Sequence, residues 1–319
     1  MSFTGTVKDE LSHVEPVCSH CGKALLAAIV RSEGQLFFSG KGQYRLEIST
    51  DLPSVARLTI RLLHEACGLE ENLTIRRSVL HKTPNYLIEV SKQPNLPRAL
   101  EELGVLKEDG GFEMGIKPEL VRKDCCAAAY ARGVFLGSGF VADPRGDFHF
   151  EMNVEHEAYA RDLVQLLERK GIHAKMNNRR NSYMVYLKSG GAILEFLAYT
   201  GAHQSALAME NARVIKSLRN DVNRSTNAEV ANQLKAANAS FDQAMAMRTV
   251  IEHYGLDQLP EALREIIVLR AKNPEISLKE LGQKANPPLS KSAVYHRIRR
   301  IEQMARELGG EDSQASAEG

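Results

Sequence analysis

The chain repeats itself, and a repeat limits the available folds more sharply than any single motif. His20–Gly34, rich in Ala and Leu and ending on glycine, is echoed by Cys125–Gly139, roughly a hundred residues later. Gly42–Glu47 is echoed by Gly146–Glu151, Arg61–Leu63 by Gln165–Leu167, and Ala99–Leu103 by Ile193–Leu197. Matches in the same order with small drifts describe a duplicated unit.

Both copies read alike. A small-residue-rich apolar helix ends at Gly34 or Gly139, which suits a left-handed helix cap. Two segments with strand alternation follow, 35–39 and 43–49 in the first copy, joined by a turn at Gly40-Lys41-Gly42. An amphipathic helix covers 52–66 or 156–169. Further strands are expected at 72–80 and 85–91, and at 173–178 and 183–188. A last helix covers 96–104 or 191–199, so the order is αββαββα, twice. Ala24, Ala27 and Ala28 match Ala129, Ala131 and Gly133. Small side chains at helical spacing let two backbones approach closely, so these helices are expected to pack across a pseudo-twofold axis.

The C-terminal part changes character after Gly255 and Pro260. A helix from Glu261 to Lys272 carries Leu263, Ile266, Ile267 and Arg270 at helical spacing and stops at Asn273-Pro274. Ser277-Leu-Lys-Glu280 is a capping box, in which serine and glutamate each satisfy a free helix N–H, and Leu278 and Leu281 face inward. After the turn at Asn286-Pro287-Pro288, Ser290 caps a third helix with the apolar stripe Val294, Ile298, Ile301, Ala305 and Leu308. Its other side is cationic: Lys291, Arg297, Arg299, Arg300 and Arg306 outnumber Glu302 and Glu307. One buried face and one face of donors is what a recognition helix presents to phosphates and base edges in the major groove. Its N-terminus can also hold a phosphate. The expected DNA-binding residues are Lys279, Lys284, Ser290, Lys291, Ser292, Ala293, Tyr295, His296, Arg297, Arg299 and Arg300.

Residues 205–253 are polar, Ala-rich and free of Pro and Gly, and read as one or two helices. Arg213, Lys216, Arg219, Arg224 and Lys235 outnumber Asp221 and Glu229, with Asn220, Asn223, Asn227 and Asn232 interleaved. Asparagine is a poor helix former. A solvated helix face accounts for this pattern, and so do secondary DNA contacts through Arg219, Asn223, Arg224 and Asn227.

The balance of 41 Lys plus Arg against 40 Asp plus Glu leaves a net charge of +1, so affinity for nucleic acid must come from these local clusters. No apolar run approaches the ~20 residues of a membrane span, and the charged Met1–Glu15 segment does not read as a signal peptide. A cytoplasmic, nucleoid-associated protein is expected. No phosphate-binding loop, dinucleotide glycine pattern or nucleophile elbow is present. Cys18-Ser-His-Cys21 invites a zinc reading, but Cys67, Cys125 and Cys126 do not supply a second Cys-x-x-Cys pair. Reduced thiols, no metal site, no cofactor and no catalytic residue are therefore expected.

The helices Leu25–Gly34 and Tyr130–Gly139 resemble those of the LAGLIDADG homing endonucleases. The resemblance implies one metal-binding acid before each final glycine, for two-metal phosphodiester hydrolysis. Here those positions are Glu33 and Ser138; serine is neutral and a poor ligand, so the carboxylate pair is incomplete and no cleavage is expected. The whole chain is similar to the bacterial WhiA regulators of sporulation and cell division. Met1–Leu11, Cys125-Cys126, Asn223-Arg224 and Ser290–Arg297 carry that similarity.

The resemblance implies an α+β protein with tandem LAGLIDADG-like αββαββα repeats followed by an all-α helix-turn-helix domain. The expected divisions are 1–110 and 118–204 for the repeats, 205–258 for a helical linker, 259–309 for the helix-turn-helix and 310–319 for a disordered tail. The implied activity is sequence-specific transcriptional regulation at double-stranded promoter DNA. A WhiB-type iron–sulfur protein or RNA polymerase is the implied protein partner. Whether the duplicated half touches DNA or protein stays open, as do an active nuclease and a protein-binding cell-division adaptor.

Overall fold

The computed structural model describes residues 2–38, 40, 43–77, 84–180 and 182–315. It forms two compact units divided between Leu218 and Arg219. The first opens with α1 (Phe3–Ser12). Its first repeat runs α2 (Cys21–Glu33), β1 (Gly34–Phe38), β2 (Tyr44–Thr50), α3 (Pro53–Cys67), β3 (Asn72–Arg77), β4 (Pro84–Val90) and α4 (Leu96–Glu102). The second runs α5 (Asp124–Ser138), β5 (Gly139–Val141), β6 (Phe150–Val154), α6 (Glu157–Glu168), β7 (Lys175–Arg179), β8 (Ser182–Leu187) and α7 (Gly190–Thr200). The order is αββαββα in each copy. Both sheets are antiparallel and share one topology, β1-β2-β4-β3 and β5-β6-β8-β7. Residues 41–42 of the expected first turn and 78–80 of the expected third strand lie outside the described residues.

Helices α2 and α5 form the centre of the unit. Their Ala, Leu and Val content favours helix, and Ala24 through Val30 and Cys126 through Leu136 are buried without a solvent stripe. The small residues make the close crossing that their spacing predicts. A Cβ added to Gly133 would lie 2.5 Å from the Leu25 carbonyl oxygen and 2.7 Å from Ala28 Cβ. Gly34 and Gly139 act differently from the sequence expectation. Both are extended, with φ of −80° and −78°, rather than left-handed. They are needed for space: a Cβ would sit 2.3 Å from the Val30 oxygen at one and 2.5 Å from the Phe135 oxygen at the other. The chain turns from helix into strand there with no room for a side chain. Under α5, Phe135, Phe150 and Phe196 pack with ring centroids 4.6 to 5.8 Å apart. Such pairs add about 0.5–1.5 kcal/mol each beyond their buried area.

Helix α1 has no counterpart in the repeats and links distant parts of the unit. Thr4 Oγ1 donates to the Val141 carbonyl at 2.7 Å and accepts from the Val141 amide. The Glu10 carboxylate accepts from the amides of Gln204 and Ser205 at 2.7 and 2.9 Å, and from the Ser205 hydroxyl. It thereby satisfies free N–H groups where α8 (His203–Tyr254) begins. Arg31 holds the connection between repeats by donating to the carbonyls of Gly104, Gly115 and Met114.

The second unit contains the end of α8, then α9 (Glu261–Lys272), α10 (Leu278–Gln283) and α11 (Lys291–Ala315). Its core adds Met247 and Val250 of α8 to Leu263, Ile266, Ile267, Leu281, Val294, Ile298 and Ile301. Three helices are evident in the sequence; the fourth wall comes from residues that read as linker. The expected tail is also corrected, because α11 continues to Ala315. Without a proline to break it, each added residue needs only one more backbone bond. Residues 316–319 lie outside the described residues. No helix among the described residues is long and apolar enough to cross a membrane.

The isolated Cys18–Cys21 pair is corrected as well. Folding brings Cys125 and Cys126 beside it, because α2 and α5 pack directly against each other and their starts meet there. Sequence spacing hides this, since the second pair is adjacent in the chain rather than spaced as Cys-x-x-Cys.

Candidate nucleic-acid interface

The interface is built from α10 and α11. The capping box is complete: Ser277 Oγ accepts from the Glu280 amide and the Glu280 carboxylate accepts from the Ser277 amide. Those hydrogen bonds hold the Glu280 carboxyl below its usual range. At the turn between the helices, Gly282 O accepts from the Leu289 amide at 2.8 Å. A Cβ on Gly282 would lie 2.3 Å from the Leu289 oxygen. The two helices are thus locked at backbone distance. Ser290 Oγ accepts from the Ala293 amide at 3.2 Å and caps α11 as the sequence predicts.

The buried side of α11 holds Val294, Ile298, Ile301 and Leu308. Lys291, Ser292, Tyr295, His296, Arg299 and Arg300 are exposed, as are Lys279, Lys284 and Ser290; Ala293 is half-buried. Arg299 Nε donates to the Tyr295 hydroxyl at 3.1 Å, and its guanidinium lies 5.7 Å from the ring centroid. Tyr295 also meets His296 edge-on. These contacts order the cationic face without neutralising it.

Arg297 departs from its expected place. Its guanidinium donates to the Glu265 carboxylate at 2.9 Å and to the Ala262 carbonyl at 3.3 Å. It sits one helical turn along from Ala293 and leans onto α9, so it fastens α11 to its own unit. Sequence pattern cannot separate such an arginine from its neighbours, because Glu265 lies more than thirty residues away. Arg270 was placed on the inward face by spacing and is buried there. It donates to the Ile276 carbonyl at 2.6 Å and to Gln243 Oε1 at 2.8 Å, joining α9 to the approach to α10 and to α8.

Arg219, Asn223, Arg224 and Asn227 are exposed on α8, and Arg224 is ion-paired with Asp221. Glu33 and Ser138 end α2 and α5 side by side; a Cβ on Gly137 would lie 3.2 Å from Glu33 Cγ. Ser138 Oγ turns back to the Val134 carbonyl, at 3.5 Å. Lys8 stands beside Glu33 and donates to the Gly137 carbonyl at 2.6 Å. Burial raises the Glu33 carboxyl, with Lys8 acting against that rise and Asp51 with it. Burial pushes Lys8 down to about 8. Where the nuclease resemblance implies an acid at the end of each helix, this chain has Glu33 at one end only, with Lys8 and Asp51 lining the same cavity.

Two duplicated α+β repeats joined to a capped helix-turn-helix define a chain of the LAGLIDADG-like and helix-turn-helix class. Family models match in the same order: the WhiA N-terminal LAGLIDADG-like domain at 19–106, the WhiA LAGLIDADG-like domain at 127–219 and the WhiA C-terminal HTH domain at 222–305. A relative from Clostridium novyi, called probable cell division protein WhiA, is 38% identical over 97% of this chain and 98% of its own. One of the same name from Heliobacterium modesticaldum is 40% identical over 96% of each. The crystal structure of full-length DUF199/WhiA from Thermatoga maritima superposes with a TM-score of 0.59 at 25% identity, covering 96% of this chain and 99% of that one. The chain belongs to the WhiA family.

Proposed function

We propose that this protein is a sequence-specific transcriptional regulator that binds promoter DNA through α11 and cuts nothing. The observation that carries the reading is the division of α11: Val294, Ile298 and Ile301 are buried on one side while Lys291, Arg299 and Arg300 stand free on the other. Lys279 and Lys284 extend the positive surface from α10. Cations spaced along a capped helix displace counterions from a duplex, and guanidinium groups read guanine edges. The relatives' name as probable cell division proteins supports target genes in division, and the family resemblance extends the proposal to chromosome segregation or sporulation genes.

Loss of cleavage is supported by Ser138, which leaves the second helix end without an acid, and by Lys8 beside Glu33, whose ammonium competes with a divalent ion for the Glu33 and Asp51 carboxylates. On the first sheet the charge of Arg45 is already engaged, paired with Glu47 at 3.2 Å and 3.9 Å from Glu89. Exposed Phe38 and Ile75, on the side of the first sheet that also carries buried Ile48 and Ile88, and Phe140 on the second sheet leave apolar surface for a protein partner. From the family resemblance, RNA polymerase or a WhiB-type iron–sulfur protein is the partner we propose for this half.

The test is binding of the full chain to promoter fragments recovered by genome-wide mapping, followed by fluorescence anisotropy at several salt concentrations. Lys291→Ala with Arg299→Ala weakens binding roughly 10–100-fold and flattens the salt dependence. The same fragments with Mg²⁺ or Mn²⁺ remain uncut. An unchanged binding curve sinks the role of α11, and cleaved product sinks the claim of inactivity.

A further inference from the structure

We propose that Cys18, Cys21, Cys125 and Cys126 form a four-thiolate zinc site that clamps the starts of the two central helices together. Among the described residues these four sulfurs all lie within 4.8 Å of one another. Cys18 Sγ is 3.4 Å from Cys21, 3.6 Å from Cys126 and 3.7 Å from Cys125, and Cys21 is 4.0 Å from Cys126. Zinc holds thiolates at about 2.3 Å in a tetrahedron, whose edges are then roughly 3.8 Å. These four separations bracket that edge, and no pair of the four sulfurs is more than 4.8 Å apart. They are well beyond the ~2.05 Å of a disulfide bond. They are also too close for thiolates on the corners of an iron–sulfur cube, whose own bulk would hold them apart. A tetrahedral d¹⁰ cation with borderline-soft character is the ligand that fits.

The surroundings suit a bound dication with four thiolates. Zinc entry releases the thiol protons to solvent and leaves a site of net charge −2. Cys21 opens α2 and Cys125 and Cys126 lie in the first turn of α5, so two helix N-termini, each with free N–H groups and positive dipole, converge on the sulfurs. Cys21 and Cys126 are buried while Cys18 and Cys125 are half-buried, which closes the site yet leaves an edge to solvent. A cavity of about 260 Å³ lined by Cys18, Cys21 and Arg132 gives a path in.

Each repeat supplies one pair, so the ion would tie copy to copy at the ends of α2 and α5 opposite Glu33 and Ser138. Cys67, the remaining cysteine, stands apart, where burial pushes its thiol up to about 11.

The experiment uses the full chain purified without chelators and under reducing conditions. Metal analysis by mass spectrometry is expected to find about one zinc per chain. Cys21→Ser or Cys126→Ser drops this at least tenfold, whereas Cys67→Ser keeps it. Should those variants fail to fold, the wild type decides alone. After zinc removal and addition of Co²⁺, it develops intense thiolate-to-cobalt absorption in the near ultraviolet and the visible bands of a tetrahedral four-sulfur site. X-ray absorption of the zinc form gives four sulfur neighbours and no nitrogen. The proposal is overturned by wild-type protein without metal and with five reactive thiols, by iron in place of zinc, by a disulfide among the four, or by zinc lost with Cys67.

Discussion

Both units close on a glycine, and they use the closure differently. In the first, Gly133 lets the Leu25 carbonyl of α2 approach a position where a Cβ would be 2.5 Å away. In the second, Gly282 admits the Leu289 carbonyl, with a Cβ distance of 2.3 Å. Around Gly133 both helices are buried on all sides, so the crossing itself is consumed in packing and presents no outward face. Around Gly282 only one side of α11 is buried, and the lock aims its cationic side outward. The same backbone device makes a scaffold in one unit and a presenting surface in the other, and the sequence of the packed helix decides which.

The strongest attack on this contrast is Gly133→Val. Two branches cannot be placed against a backbone oxygen, so the first unit is expected to lose about 3 kcal/mol or more, read as a large fall in its urea midpoint. Gly282→Val should cost about 2–3 kcal/mol. It removes DNA binding while hydrogen exchange in α2 and α5 stays at wild-type protection. Loss of protection in both units from either substitution would break the distinction.

Within α11 the contrast sharpens between neighbours. Arg300→Ala is expected to weaken DNA binding about tenfold and leave the melting temperature unchanged. Arg297→Ala is expected to cost about 1 kcal/mol of stability by stranding Glu265, with a smaller effect on affinity per folded molecule. Equal effects of the two on affinity would return Arg297 to the DNA-facing side. In the first unit, Glu10→Gln weakens the cap on α8 and lowers stability by about 1 kcal/mol, measured by chemical denaturation.

Lys8 gives the comparison a pH response. Its folded pKa of about 8 lies below the ordinary 10.5, so between these values the folded state binds fewer protons than the unfolded one. Its contribution to stability therefore rises with pH through that window. Relative to Lys8→Met, the wild type should gain about 2–3 kcal/mol from pH 8 to 10.5. A flat difference would mean that Lys8 is solvated in the folded protein.

The duplicated order, the strands to within a few residues, the capping box and the Ser290 cap were all legible in the chain, because each depends on neighbours less than a turn or a hairpin away. α1 was not legible: ten residues with a short apolar side, Val7 and Leu11, become a helix only against the repeats they touch. The same reason hid the α8 wall of the second unit, where Met247 and Val250 are two apolar residues in a polar run. At the interface, charge and period identified the helix and could not tell Arg297 from Arg299, since one meets an acid of α9 and the other a tyrosine one turn back.

Local periodicity and turn chemistry, which act over a few residues, determined the element order, the repeat and the helix that carries the positive charge. Tertiary structure decided which glycines are needed for space rather than for backbone sign, which arginines remain free, and that two cysteine pairs more than a hundred residues apart share one volume. Those outcomes depend on distances between segments far apart in the chain, and spacing along a chain carries no record of such distances.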